Sequence, residues 1–302
     1  MKNYIIIILL LFCLFELLEH PEIAKVSSGY STNLWLNNIV PTLFPFFIIS
    51  SLLISYGFSE IIGSILYPFF YKLFKISKSS SIIIILSLFS GIPGNAKYIV
   101  DLYNEKMIDE NEGTKLLCFT FFSNPLFILG ALSTNMIKDN EIGIIILICH
   151  YLPNLFIGLF LRKHYINKSN NYSKRISNNN LGKLITNSLI TSINTLLLVL
   201  GVITLFSLLI NIVTTNFNIN KTLISSILEM TQGLNLLANT NLSFEIKVLF
   251  STMIISFGGF SSHLQIIGII SNTNIKYKPF FISRIFHAVL SALFIILYFY
   301  LF

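Results

Sequence analysis

Ser90-Gly91-Ile92-Pro93-Gly94-Asn95-Ala96-Lys97 sets a proline, two glycines, an amide and a lysine where an apolar run would be expected to continue. Proline removes a backbone donor and glycine raises the cost of helix, so regular helix does not pass through cheaply. The backbone groups freed there, with Asn95 as donor and acceptor and Lys97 as a cation, suit a polar or anionic solute. The plainer reading is a helix-ending turn at a membrane surface with Lys97 snorkelling to the interface. The motif lies a dozen residues into its run, which favours the functional reading.

Two further interruptions follow. Ser123-Asn124-Pro125 stands in the middle of the apolar run 116–137, and a residue before proline is pushed towards extended backbone. Phe257-Gly258-Gly259-Phe260-Ser261-Ser262-His263-Leu264-Gln265 adds an ionisable group inside a third run. Such a group at membrane depth is a functional candidate by default, and His263 is the first candidate for proton coupling. His287, three residues after Arg284 on the same helical face, is the second; its plainer role is a hydrogen bond between helices. In hydrocarbon, broken backbone survives only against protein or a water-filled cavity. One broken run in each half of a chain is the pointer to a transporter's binding site. The expected solute site therefore comprises Gly91, Pro93, Gly94, Asn95, Lys97, Ser123, Asn124, Pro125, Gly258, Gly259, Ser261, His263 and Gln265.

Other polar residues read more plainly. Glu229 and Gln232 form an i,i+3 pair that suits an interface, with ion coordination as the other reading, and His150 reads as a packing residue. Asp101, Glu105, Asp109, Glu110 and Glu112 share their stretch with Lys106 and Lys115, which suits a solvated loop. Cys13, Cys118 and Cys149 each stand alone in apolar runs, with neither metal spacing nor a disulfide framework. No G-x-S-x-G, H-E-x-x-H or P-loop occurs, so neither an enzyme, a metal nor a cofactor is expected.

The elements that must position these residues follow from composition. Of 302 residues 54% are hydrophobic and 11% charged, with a mean hydropathy of +0.77, against about 25% charged in soluble domains. An all-α, polytopic protein of the lipid bilayer is the class that fits. The formal charge of +7 collects in short loops between apolar runs, as the positive-inside bias expects, and not in a nucleic-acid-binding patch. Apolar runs against a need of about 20 residues per span divide the chain into four parts. These are an uncleaved N-terminal transmembrane helix (1–21), a first repeat with its connecting span (22–161), a basic cytoplasmic linker (162–183) and a second repeat (184–302). The stretch 22–38, which holds Trp35, reads as an interfacial helix. Gly91 lies over Gly259 when the halves are aligned, with Asn95 over His263 and Lys97 over Gln265. A re-entrant tip at Ser123-Asn124-Pro125 puts Lys72, Lys75 and Lys78 inside and the loop 97–115 outside, so inverted repeats are expected.

The stretches Leu88–Lys97, Phe121–Gly130, Phe257–Gln265 and Ile275–Pro279, with Pro41-Thr42-Leu43-Phe44-Pro45-Phe46-Phe47, resemble the motifs of the sporulation integral membrane protein YlbJ family. The likeness runs from about residue 31 to residue 300. It departs at Asn95, where the family more often has Gly or Ala near the signature lysine, and the chain is short for the family. The resemblance implies a pair of nucleoside-recognition, or gate, domains, distantly similar to concentrative nucleoside transporters. It also implies a role in building the resistant spore of an endospore-forming bacterium, in a membrane of the sporulating cell. It supplies no substrate. The reading that results is a permease for a small polar solute. The alternative is a scaffold that recruits spore-assembly proteins through the basic segment 162–183.

Overall fold

The computed structural model describes residues 2–165 and 181–302, so most of the basic segment 162–183 lies outside the described residues. Those residues form helices and their connections, with no strand among them. Among the described residues, four helices are long and apolar enough to cross a membrane: Ile142–Lys163, Leu181–Asn216, Phe244–Ile270 and Tyr277–Leu301. The chain is an all-α, multi-pass membrane protein.

Helix α1 (Lys2–Glu19) meets α2 (Pro21–Leu34) at a bend of 97°. From α2 the chain runs on through a π-helical turn (Trp35–Ile39) into α3 (Val40–Ser55) as one long rod. Its partner is α9 (Leu181–Asn216). Asn211 Nδ2 donates to Ser27 Oγ at 2.8 Å, Trp35 Nε1 to the Leu196 carbonyl at 2.8 Å, and the Ser51 and Ser188 hydroxyls lie 3.3 Å apart. Position falls along α9 as it rises along the rod, so the two run antiparallel. Small residues let them approach: Ser27, Ser31, Ser188 and Ser192 are all buried. The stretch 22–38 is thus a packed member of the body, with Trp35 bonded inward, where sequence reading expected it at the interface. Cysteines at 51 and 188 are expected to cross-link on mild oxidation, since the side chains already lie within disulfide reach; failure to shift on non-reducing gels would refute this register.

Along helix α4 (Phe58–Phe74), Ile61, Ile65 and Phe69 form an exposed apolar stripe, as for a helix lying along a bilayer surface. Then come α5 (Ser81–Ser90) and α6 (Gly94–Asn104). They form a hairpin. Ser80 Oγ, just before α5, donates to Glu112 Oε1 at 2.7 Å, beyond the short loop that ends α6, so both ends of the pair emerge together. Its tip is residues 91–93. By contrast, α7 (Glu110–Phe119), the irregular residues 120–124 and the π-helical stretch Phe127–Ile137 cross the body once. Lys115 in α7 donates to the Arg162 carbonyl at the end of α8 (Ile142–Phe160) at 3.1 Å. A Cβ on Gly143, at the start of α8, would collide with Ser133 in the π-helical stretch.

The second half repeats this order. After α9, helices α10 (Lys221–Leu228) and α11 (Met230–Ala238) fold back on each other about Glu229, close enough that a Cβ on Gly233 would strike the Ser226 backbone. Next, α12 (Phe244–Phe257) and α13 (Gly259–Ile270) make one broken crossing, and α14 (Tyr277–Leu301) is the last span. Both halves therefore read as long helix, hairpin, broken crossing, final span, with α4 extra in the first. The backbone N–H of Lys276, before α14, donates to Thr114 Oγ1 beside the base of the first hairpin. Phe244, beside the base of the second hairpin, packs on Phe299 at the far end of α14 with ring centroids 6.4 Å apart. The hairpins enter from opposite faces, and the repeats are inverted.

Two expectations change. The re-entrant tip is Gly91–Pro93, and Asn124 sits in a crossing segment, so the stretch 97–115 reaches the same face as Lys72, Lys75 and Lys78. Nor is that stretch simply solvated. Glu112 is 1% exposed and accepts from Ser77 N and Ser80 Oγ ahead of α5, while Lys115 is fully buried and donates to the Phe74 carbonyl at 3.0 Å as well as to Arg162. Each satisfies helix-end groups that would otherwise lack partners. This face also carries Arg162, Lys163, Lys276 and Lys278, against Lys25, Lys138, Lys221 and Lys247 opposite, the kind of excess that the positive-inside bias expects of a cytoplasmic face.

Candidate functional site

Four interruptions of helix meet at the centre. Gly91 at the first hairpin tip faces the first broken crossing: a Cβ there would lie 2.6 Å from the Asn124 backbone nitrogen. Asn124 Nδ2 donates back to the Ser90 carbonyl at 3.5 Å. Phe121 of that crossing abuts the second, 2.9 Å (Cε1) from where a Cβ on Gly258 would sit. Gly259 in turn faces the second hairpin tip, its absent Cβ 3.0 Å from Met230 N and 3.3 Å from Leu228 O. Tip, break, break and tip form a continuous row.

Alongside the row lies a cavity of about 350 Å³, within the usual size of small-molecule sites. Ile92 comes from the first tip, Ser123 and Asn124 from the first break, Glu229, Met230 and Thr231 from the second tip, and Ser262 and Gln265 from α13. Val199 and Ile203 of α9 form an apolar wall. Both π-helical segments also contribute, through Asn37, Asn38 and Ile39 and through Phe127, Gly130, Ala131, Asn135 and Met136. A wide turn re-aims side chains relative to α-helix, and such turns gather at functional sites. Ser123 Oγ is buried without a hydrogen-bond partner. Glu229, 2% exposed, has extended backbone and caps α11, accepting from Thr231 N at 3.3 Å and Gln232 N at 2.7 Å.

Side chains behind the cavity satisfy the backbone that the breaks free, as burial in a membrane requires. Asn154 Nδ2 donates to the Phe121 carbonyl at 2.6 Å, and Arg284 Nη2 donates to the Cys118 carbonyl and to Asn154 Oδ1 (3.0 Å). The Tyr151 hydroxyl lies 2.9 Å from Leu88 O and 3.0 Å from Ser123 O. Ser123 N–H donates to His150 Nε2 at 2.9 Å. An amide can only donate, so Nε2 carries no hydrogen and His150 Nδ1 donates to Ser256 Oγ, 2.9 Å away. His287 Nε2 faces the His150 carbonyl at 2.7 Å and must donate to it, while Nδ1 lies 2.9 Å from Arg284 Nη1, from which a neutral ring accepts, and 3.0 Å from the Ser256 carbonyl. The guanidinium also lies over the rings of Phe121 (4.7 Å) and Phe280 (5.4 Å).

The residues singled out in the sequence divide. Ser123, Asn124 and Gln265 line the cavity; Gly91, Gly258 and Gly259 form the row beside it. Pro93 and Gly94 close the first tip, and Pro125 opens the helical turn after the first break. Ser261 and Asn95 are buried with unpartnered polar atoms outside the lining. Lys97 is also outside it, paired with Asp101 at 2.8 Å. His263 sits among Phe257, Phe260, Phe280 and Phe281, its Nε2 donating to the Phe257 carbonyl at 3.1 Å and its Nδ1 2.9 Å from the Tyr277 hydroxyl. It satisfies the end of α12 and does not line the cavity. Asn37, Asn38 and Asn135 are lining residues that sequence reading left out, and Glu229, read there with Gln232 as an interfacial pair with ion coordination as the other reading, lines the cavity as well.

No family model matches the chain, and no solved structure matches it. Among curated proteins, the sporulation integral membrane protein YlbJ of Bacillus subtilis (strain 168) is 31% identical over an alignment of 328 residues. The alignment covers 95% of this chain and 80% of the relative.

Proposed function

This chain belongs to the family of the sporulation integral membrane protein YlbJ, and from that premise we propose that it is a permease acting during spore formation on a small polar solute. The carrying observation is the convergence of two opposed hairpin tips and two broken crossings on one cavity of about 350 Å³. A scaffold has no need of four interruptions at membrane depth, each requiring side chains to satisfy it. A permease does, because backbone and short polar side chains facing a central cavity can hold a solute reachable from either face.

The test is a thermal-shift screen of the purified protein against small polar metabolites. Ligand at about 100 times its Kd stabilises a folded state by about 2.7 kcal/mol, so a true solute raises the melting midpoint by several degrees. That rise should vanish in Gln265→Leu, whose amide lines the cavity, and persist in Lys97→Met, whose ammonium does not. Uptake of the same solute into proteoliposomes should follow. No stabilising solute, together with capture of a protein partner through the basic segment, would support the scaffold and sink the permease.

A further inference from the structure

A second cavity, of about 430 Å³, lies between the spans α8 and α14 and shares no lining residue with the central one. Its mouth opens sideways between Phe156, Phe160, Ile282 and Phe286, all exposed where a membrane protein meets lipid. Buried Cys118 forms part of its inner wall. Along α14 it runs from Pro279 to Leu290, about 16 Å at the helical rise, which matches the roughly 15 Å of hydrocarbon in one leaflet. The cytoplasmic end is rimmed by cations. Leu161 and Pro279 line the cavity there, and each adjoins a basic residue, Arg162 and Lys278. Lys163, Lys276 and Lys278 are exposed, while Arg162 Nε is buried without a hydrogen-bond partner. Neither 142–165 nor 271–302 contains an acidic residue to offset them. The start of α14 has no side-chain cap, and a helix N-terminus adds positive potential of its own.

We infer that this cavity holds an acyl chain of an anionic phospholipid, whose phosphate is bound by Arg162 and Lys278 with Lys163 adding to the charge. Apolar walls at leaflet depth under a cationic rim on the cytoplasmic side are what such a lipid requires. A water-soluble anion would leave the walls unfilled, and a lipid without net charge would leave the cations unused. The site holds whether or not the protein carries a solute. It also touches the machinery behind the first break: Arg284 donates to the carbonyl of Cys118, so the bound chain packs on the segment that leads into that break.

The experiment places a tryptophan at the mouth, Phe286→Trp, in the full chain reconstituted into vesicles of phosphatidylglycerol and phosphatidylcholine in equal parts. One lipid or the other carries brominated chains, and quenching is read after the signal of Trp35 in the parent chain is subtracted. Ile190→Trp is the control, exposed like Phe286 and likewise nine residues from the cytoplasmic start of its helix. Preference for phosphatidylglycerol is expected to be about fivefold at 286, the effect of one cation near an anionic lipid surface, and close to one at 190. Arg162→Gln with Lys278→Gln should bring the value at 286 down to that at 190. Should that pair fail to reconstitute, Lys163→Gln with Lys278→Gln, both at exposed positions, must at least halve the preference. Equal preference at 286 and 190 would reflect only the general charge of the cytoplasmic face and would overturn the inference, as would a preference that the substitutions leave unchanged. Quenching by neither lipid at 286, with cross-linking between copies of Phe286→Cys, would give the cavity to a second copy of this chain and overturn it as well.

Discussion

Arg284→Ala is expected to destabilise the protein by about 3 kcal/mol and to lower its melting midpoint more than any other single substitution behind the cavity. The guanidinium occupies the Cys118 carbonyl, Asn154 Oδ1 and His287 Nδ1 at once. Each buried acceptor left without a donor costs about 1–3 kcal/mol. Bonds between membrane helices are worth less than that sum, because the unfolded chain in lipid also finds partners, hence the lower total. The effect should not stay local. Asn154 holds the Phe121 carbonyl and His287 holds that of His150, whose own ring holds Ser123 N–H. Loss of Arg284 therefore loosens the first break from behind. Arg284→Lys is expected to rescue little, since one ammonium cannot reproduce a planar fork reaching three acceptors. Thermal stability by fluorescence-detected size exclusion gives the measurement. A midpoint within a degree of the parent's for Arg284→Ala would show that the network carries no load.

Much of this was legible because lipid is a strict solvent. Composition alone implied several spans, and Gly91, Pro93, Asn124, Pro125, Gly258 and Gly259 marked three of the four interruptions, since these residue types are what broken helix requires. The fourth was hidden. Leu228-Glu229-Met230 has neither proline nor glycine, and the run 222–238 reads as one helix. What makes it a hairpin is close packing about Ser226 and Gly233, a pairing visible only once the chain has turned back. Residue type also misled the internal alignment. Gly91 and Gly259 look equivalent, but Gly91 turns a hairpin while Gly259 leaves room for one to dock. The structural counterpart of Gly91–Pro93 is the tip at Glu229, and that of Gly258-Gly259 is Ser123-Asn124-Pro125. Charge was equally ambiguous. Lys97 and Glu229 both stand in apolar surroundings, but Lys97 has an acid one turn ahead at Asp101, whereas Glu229 has no basic residue within seven positions before it or after it. Local pairing explains why the lysine stays out of the cavity and the acid does not.

Gly91→Ala is expected to cost about 4 kcal/mol, a large share of an overall stability of about 5–15 kcal/mol, and to lower the melting midpoint accordingly. Two independent terms add. Gly91 has φ +75° and ψ −160°, a combination essentially closed to residues with a Cβ and worth about 1–3 kcal/mol of strain. The new methyl would also lie 2.6 Å from the backbone nitrogen of Asn124 and 3.0 Å from its Cα, and overpacking of this kind costs about 1–3 kcal/mol. A backbone obstacle cannot rotate aside, so the first tip must part from the first break, and the row that borders the cavity opens at that point. Two other glycines supply the contrast. At Gly94 the nearest atom to a new Cβ is the Ser90 hydroxyl oxygen at 2.6 Å, which a rotamer change can move, so Gly94→Ala should be milder. At Gly130, in the cavity lining, nothing lies within 4 Å, and the helical position favours alanine, so Gly130→Ala should leave stability unchanged or slightly raised. The ordering Gly91, Gly94, Gly130 in loss of melting midpoint is the measurable claim. Equal effects at 91 and 130 would mean that the tip does not rest on the break, and the convergence on which the site depends would fail with it.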